Sequence, residues 1–115
     1  MDKDPFTLDL FGEEIIPEKL SELCYSSMPD LSAELTVCLT GYFACARGSL
    51  KRVEIMQKSL RGLQITVTEN WNRDIDILIV GYKAKIISEK IKNAIRRNIP
   101  IVKETDFLQY ARLLQ

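Results

Sequence analysis

At 115 residues the chain is long enough for one domain with a modest core and too short for two, and its 46% apolar share is typical of a globular protein. Its apolar runs are far shorter than a membrane span, and the acidic N-terminus lacks the basic and apolar regions of a secretory signal, so we expect an intracellular protein with no membrane partner. The absence of histidine, with three cysteines that show no paired ligand spacing, argues against a metal site, a disulfide framework and histidine-based catalysis.

Charge is distributed unevenly along the chain. Nine of the sixteen acidic residues and two of the sixteen basic residues lie within positions 1–34, so this segment carries −7 and the remainder +7. A small domain with such an excess attracts polyanions, and an acidic segment beside it can compete for the same surface. The alternative is scattered surface charge that serves only solubility.

Residues 1–33 are predicted to form an acidic extension or linker in front of a domain at 34–115. Acidic and apolar side chains are mixed at alternate positions as far as Glu14, which favours an extended segment. Pro17 is then suited to the first turn of a short helix near 17–27.

The domain at 34–115 alternates between strand-like and helix-like patterns. Short apolar, β-branched runs predict the strands, and apolar residues at three- and four-residue spacing after a Ser or Thr cap predict the helices. In chain order these are a strand at 35–39, a helix from Ser49 to about 61, strands at 63–68 and 75–80, a helix from Ser88 to about 97, a strand at 99–102 and a helix from Thr105. This order, β-α-β-β-α-β-α, predicts an α/β fold of three layers, α/β/α, with a four-stranded parallel sheet.

Several stretches of the domain match, in order and spacing, the pattern of a known family. They are Leu39–Gly41, Gly62, Asp76–Gly81, Lys90–Ala94 and Ile99–Phe107. In these positions the chain resembles the BRCT domain over about residues 34–113. Its Thr-Gly step is similar to that of the single BRCT domains of bacterial NAD-dependent DNA ligases and of the replication factor C large subunit. Many BRCT domains have a tryptophan where Phe107 stands, whereas the lone Trp71 lies between the second and third predicted strands.

The resemblance implies a phosphate-binding site at the end of the first strand. By similarity to phosphate-binding BRCT domains, Thr40 supplies a hydroxyl, Gly41 a backbone N–H and Lys90 a cation, and such a donor set suits a phosphate group. The alternatives are an ordinary strand-ending turn at Thr40-Gly41 and a solvated helix position at Lys90.

Further cations are expected around this site. A basic residue is usual at the start of the first helix in the family, but direct alignment places Leu50 there, and either Arg47 or Lys51 is expected to replace it. Contacts with a DNA backbone, which add salt-dependent affinity without sequence readout, are predicted for three basic residues of the second domain helix, namely Lys92, Arg96 and Arg97. Solvated helix charge is the alternative for these three.

The N-terminal stretch from Thr7 to Phe11 resembles the short clamp-binding motif of bacterial replication proteins, although Thr7 stands where Gln is usual. In this interpretation Leu8, Leu10 and Phe11 bind a sliding clamp. The alternative is that the apolar side chains of this stretch dock on their own domain or stay without a partner.

We therefore expect a non-catalytic phosphate-recognising module that binds 5′-phosphorylated DNA ends or nicks in DNA replication or repair, without metal or cofactor. The alternative is a protein–protein interaction module, either phosphopeptide-binding or dimerising. An enzyme ranks third, because Asp74 and Asp76 share one face of a strand and no acid or base is placed against a nucleophile. The chain also fits a part of a larger DNA ligase, exonuclease or polymerase. Its expected location is the cytoplasm, at the nucleoid, or the nucleus in a eukaryote.

Overall fold

The computed structural model of the chain describes residues 16–41, 43, 51–82 and 84–115. The elements within these ranges, in chain order, are a 3-10 turn at Leu20–Glu22, β1 (Leu35–Thr40), α1 (Arg52–Ser59), β2 (Ile65–Thr68), β3 (Ile77–Val80), α2 (Glu89–Arg96), β4 (Ile101–Lys103) and α3 (Glu104–Leu114). The predicted order β-α-β-β-α-β-α is confirmed. None of the helices in these ranges is both long enough and apolar enough to cross a membrane.

The four strands form one parallel sheet in the order β2-β1-β3-β4. The central strands β1 and β3 consist almost wholly of apolar and β-branched residues, as strands that are covered on both faces require. Along β1, Val37 and Leu39 pack on one face of the sheet and Cys38 packs on the other. The predicted α/β fold, with its four-stranded parallel sheet between two helical layers, is confirmed.

Each face of the sheet has its own hydrophobic core. On the first face α1 contributes Met56 and α3 contributes Phe107, and both side chains are fully buried. On the second face α2 contributes Ile91 and Ala94. Because complete burial of a phenylalanine is worth about 1.5–3 kcal/mol, Phe107 alone accounts for a sizeable part of the attachment of α3.

The first part of the segment that precedes β1, residues 20–26, packs on the second face and along the edge of β4. Leu20 and Leu23 lie against the core on the α2 side. The backbone N–H of Ser26 donates to the carbonyl of Ile101 at 2.8 Å, and the N–H of Ile101 donates to the Ser26 hydroxyl at 3.0 Å. Ser26 therefore satisfies both backbone groups of Ile101 at the outer side of the edge strand β4.

The short helix predicted near residues 17–27 is wrong in extent, since the structure has only the 3-10 turn at Leu20–Glu22. No side chain caps this turn, and at Leu23 the backbone is already extended (φ −70°, ψ 131°). An extended chain is what the pairing with β4 requires, and this tertiary contact prevails over the local helical pattern. The division of the chain at residue 34 stays a prediction.

The starts of the last two helices differ in how well their caps were predicted. Ser88 caps α2 as predicted, since its hydroxyl accepts a hydrogen bond from the backbone N–H of Ile91 at 3.2 Å. Thr105 is not the cap of α3; Lys103 holds that position, without a side-chain cap bond. The reason is that β4 runs directly into the helix at Glu104, which leaves no loop in which a capping residue would lie.

Candidate functional site

The carboxyl end of the sheet has a topological switch between β1 and β3. From β1 the chain crosses through α1 to β2 on one side, whereas from β3 it crosses through α2 to β4 on the other side. In open parallel sheets such diverging connections leave a crevice in which ligands bind. In this chain Thr40 and Gly41 lie on one side of the crevice and the N-terminus of α2 lies on the other.

Gly41 brings the two sides of the crevice into close contact. It follows β1 with φ of +82°, a conformation that favours glycine, and the carbonyl of Thr40 before it accepts from the N–H of Gly81 at 2.9 Å. A Cβ atom built on Gly41 would lie 2.5 Å from the Cβ of Ala84, much closer than two such atoms approach. Both the backbone angle and the space at this position therefore require glycine.

Two hydroxyl groups meet across the crevice. The hydroxyl oxygens of Thr40 and Ser88 lie 2.7 Å apart, and either can be the donor. Thr40 is only 4% exposed, so its side chain is held in the packed interior, and Ser88 is itself held by its cap bond with α2. Ser88 was predicted from the sequence only as a helix cap. Its position beside Thr40 is a tertiary contact across 48 residues that no local pattern signals.

Lys90 places its ammonium group at the ends of β1 and β2. Its Nζ donates to the carbonyl of Leu39 at 2.8 Å and to the carbonyl of Glu69. An ammonium has three N–H donors, and among the described residues the third has no partner. Within the described part of the chain, Lys90 is therefore a fixed, half-buried cation with one donor left for a ligand.

Arg52 supplies a second cation at the start of α1. Its Nε donates to the carboxylate of Glu69 at 2.8 Å, and one Nη donates to the carbonyl of Gly41. The guanidinium lies 5.5 Å from the ring centroid of Phe43, within the range of a cation–π contact. Arg52 thus contacts Gly41, on the β1 side of the crevice.

The structure shows which basic residue near the start of α1 is fixed at the crevice, and the sequence did not predict it. Lys51 is at the N-cap position and exposed, Arg47 lies outside the described residues, and Leu50, which direct alignment selected, does so as well. One signal for Arg52 was present in hindsight: a cation in the first turn of a helix is opposed by the helix dipole, so it needs a local anion or carbonyl. Glu69 and Gly41 supply them.

Residues 27–110 match the model of the BRCA1 C Terminus (BRCT) domain family. The chain belongs to the BRCT family. No curated protein and no solved structure gives a significant match to it. BRCT domains in general bind phosphorylated proteins or DNA, and the matched region includes all the residues of the crevice.

The cations of this BRCT domain act on a buried thiol at the end of β1. Burial raises the pKa of Cys38, while the positive charges of Lys90 and Arg52 oppose that rise. The thiol is fully buried and stays protonated, so it is no nucleophile. Among the described residues no three His, Cys, Asp or Glu side chains lie close enough together to hold a metal ion.

Of the three residues predicted to contact a DNA backbone, Lys92 lies nearest the crevice. It is half-buried and donates to the carboxylate of Glu89 at 3.1 Å in the first turns of α2. Arg96 is exposed in the last turn, where it donates to Asn93 at 3.2 Å. Their predicted role at a DNA backbone stays a prediction.

Arg97 lies towards the amino ends of the strands, whereas the crevice is at their carboxyl ends. It caps the end of α2, and its guanidinium donates to the carbonyls of Asn72 and Arg73 at 3.5 and 3.3 Å. The same group lies 5.9 Å from the ring centroid of Trp71. At 1.5 Å per residue, Arg97 is roughly 10 Å along the helix from Lys90. The structure therefore does not bring Arg97 together with the crevice.

The remaining predicted residues lie elsewhere. Asp76 sits at the amino edge of the sheet, where its carboxylate accepts from the N–H of Thr36 at 2.8 Å, which is a structural contact. The proposed clamp-binding residues fall outside the described part of the chain; these are Leu8, Leu10 and Phe11.

Proposed function

We propose that this BRCT domain is a non-catalytic module that binds 5′-phosphorylated DNA ends or nicks in DNA replication or repair. The observation that carries the proposal is the convergence of Thr40, Gly41, Lys90 and Arg52 at one crevice. A phosphate group accepts several charge-assisted hydrogen bonds at once, and two fixed cations beside a hydroxyl and a turn match that need. The Thr-Gly step is similar to that of the single BRCT domains of bacterial NAD-dependent DNA ligases and of the replication factor C large subunit. This similarity supports DNA as the molecule that carries the phosphate.

Charge supports a nucleic acid as the partner. The part of the chain after residue 34 carries +7, which attracts a polyanion before any specific contact forms. A terminal phosphate bears about −1.5 to −2 charges at neutral pH, more than the single charge of an internal phosphodiester. A site with two cations therefore favours a DNA end over the uninterrupted backbone. Action at DNA ends would take place in the nucleus or, in a bacterium, at the nucleoid.

The test is binding of the purified chain to one labelled duplex with and without a 5′-phosphate, at two salt concentrations. Lys90→Gln is the informative variant, because it removes the charge and leaves a polar side chain with N–H donors at this position. Loss of one charge-assisted contact is expected to weaken phosphate-dependent binding about tenfold to one hundredfold and to lower the salt dependence by about one ion.

Lys58→Gln is the matched control, since Lys58 is an exposed lysine in the last turn of α1 and its loss changes the net charge equally. It should leave the preference for the phosphorylated duplex unchanged. If the wild-type chain binds both duplexes equally, the proposal of DNA-end recognition is wrong.

A second candidate is the reading of a phosphopeptide by the same crevice. It is favoured by two exposed apolar side chains in the loop from β3 to α2, Tyr82 at 67% and Ile86 at 73% exposure. This loop contacts Gly41 through Ala84, and apolar side chains there suit a peptide better than a sugar–phosphate backbone. Binding to a phosphorylated peptide that is lost on dephosphorylation, with indifference to DNA, would favour this candidate.

A further inference from the structure

Glu69 contacts both cations of the crevice, but through different groups. Its carboxylate accepts from Nε of Arg52 at 2.8 Å, and its backbone carbonyl accepts from Nζ of Lys90. The residue follows β2 directly, at the carboxyl edge of the sheet. An anionic side chain of the domain itself therefore lies on one of the two cations that a phosphate would use.

The two contacts differ in how easily they are released. The carbonyl belongs to the backbone after β2, which is fixed further by a hydrogen bond from the N–H of Asn70 to the Thr68 hydroxyl at 3.1 Å. The carboxylate is at the end of a side chain that is 46% exposed, and the Arg52 side chain is 24% exposed. Rotation of the Glu69 side chain would free the Nε of Arg52 without any change in the backbone, while the Nη of Arg52 keeps its bond to the Gly41 carbonyl and Lys90 keeps its place.

We propose that the Glu69 carboxylate is an internal competitor for the phosphate ligand, which must displace it from Arg52. This inference rests on the proposed phosphate-binding function of the crevice. While the carboxylate is paired, it neutralises Arg52, and it repels any second anion that approaches the same guanidinium. A ligand that engages Thr40, Gly41 and Lys90 as well gains enough contacts to displace it.

The size of the effect follows from the exposure of the pair. A partly exposed ion pair is worth at most about a factor of five in an equilibrium constant, and the repulsion of a nearby dianion adds to it. Removal of the charge at position 69 is therefore expected to tighten phosphate binding about threefold to tenfold. The salt dependence of binding should also steepen. In the variant Arg52 is neutralised by ions from solution, and no longer by the carboxylate, so phosphate binding has to displace those ions.

Glu69→Gln is the direct test, because the Gln side chain still accepts a hydrogen bond from Arg52 and so preserves the local packing. Glu54→Gln is the matched control: Glu54 is exposed in the first turn of α1, and its loss changes the net charge by the same amount. The probe is the labelled duplex with a 5′-phosphate, titrated by fluorescence anisotropy at two salt concentrations. We expect tighter binding and a steeper salt dependence for Glu69→Gln, and a change of less than about twofold for Glu54→Gln.

Arg52→Gln completes the experiment as a double-mutant cycle. If Glu69 acts only through Arg52, Glu69→Gln has no effect on affinity in the Arg52→Gln background. Weaker or unchanged binding by Glu69→Gln, with an unaltered melting temperature, would overturn the inference. Weaker binding would show in addition that Glu69 positions Arg52 for the ligand.

The outcomes separate the inference from the proposed function. If the wild-type chain prefers the phosphorylated duplex but Glu69→Gln binds it no better, only the internal competition fails. If neither chain prefers the phosphorylated duplex, both proposals fail. Detectable phosphate preference in Glu69→Gln alone would support both.

Discussion

Replacement of Gly41 by alanine is expected to destabilise the domain through two separable effects. The first is backbone strain, because a residue with a Cβ at φ of +82° costs roughly 1–2 kcal/mol. The second is overlap with Ala84, whose Cβ would be 2.5 Å from the new methyl group. Forcing an extra methyl group into a packed site typically costs about 1–3 kcal/mol, so the sum is about 2–5 kcal/mol.

Gly62 offers an internal control for the backbone effect. It has φ of +91°, and a Cβ built on it meets nothing within 4 Å. Gly62→Ala should therefore show the strain alone, about 1–2 kcal/mol. By thermal unfolding, Gly41→Ala should lower the melting temperature by about 10 °C or more, since 1 kcal/mol corresponds to about 4–8 °C in a domain of this size.

The overlap with Ala84 is isolated by a double-mutant cycle. Ala84→Gly removes the facing methyl group, so the pair Gly41→Ala and Ala84→Gly should recover about 1–3 kcal/mol relative to additive single changes. Urea unfolding of the four chains gives this coupling energy. Equal destabilisation by Gly41→Ala and Gly62→Ala, together with a coupling below about 0.5 kcal/mol, would refute the close contact between the two loops.

Thr40→Val removes a buried hydroxyl that lies 2.7 Å from that of Ser88, so we expect a loss of about 1–2 kcal/mol in urea unfolding and no preference for a phosphorylated duplex. Arg97→Ala removes a ring contact and two bonds to carbonyls towards the amino ends of the strands, so it should cost about 1 kcal/mol in stability and leave phosphate binding unchanged. Because burial raises the pKa of Cys38 above its ordinary value of 9.0, a thiol reagent followed by mass spectrometry should label the exposed Cys24 and spare Cys38 until the domain unfolds. The protonated thiol is the form that the fold favours, so this contribution to stability is present below pH 9 and declines as the pH rises further.

The fold was predictable because its signals are local and consistent. β1 and β3 are apolar and β-branched runs, as strands that are covered on both faces require. The start of α2 is indicated by its cap residue Ser88, and the helices between the strands by apolar residues at three- and four-residue spacing. The alternation of these patterns fixes a parallel sheet with helices on both faces. Thr40, Gly41 and Lys90 could be named in advance because the family resemblance supplied their positions.

The parts that were not predicted depend on contacts between residues far apart in the chain. Arg52 lies at the crevice because Glu69, 17 positions later, and Gly41 hold its guanidinium. The extended chain around Ser26 replaces a helix because it pairs with Ile101, 75 positions later. The sequence around Arg52 or Ser26 contains no periodic pattern that indicates these distant partners. Helix-capping rules consider only four or five consecutive residues.

Residues from outside the sheet pair with part of each edge strand, which bears on how the domain meets its partners. At β4 the hydroxyl and N–H of Ser26 pair with Ile101. At β2 the amide of Gln57 does the same, donating to the carbonyl of Ile65 at 2.7 Å and accepting from the N–H of Val67 at 2.9 Å. Unpaired strand edges are the usual template for strand addition by a second chain, and here the carbonyl of Ile65, the N–H of Val67 and both backbone groups of Ile101 already have partners. Dimerisation or peptide capture through the sheet edges would first have to break these bonds, whereas the crevice at the carboxyl end offers Lys90, a fixed cation with a donor that no described residue uses.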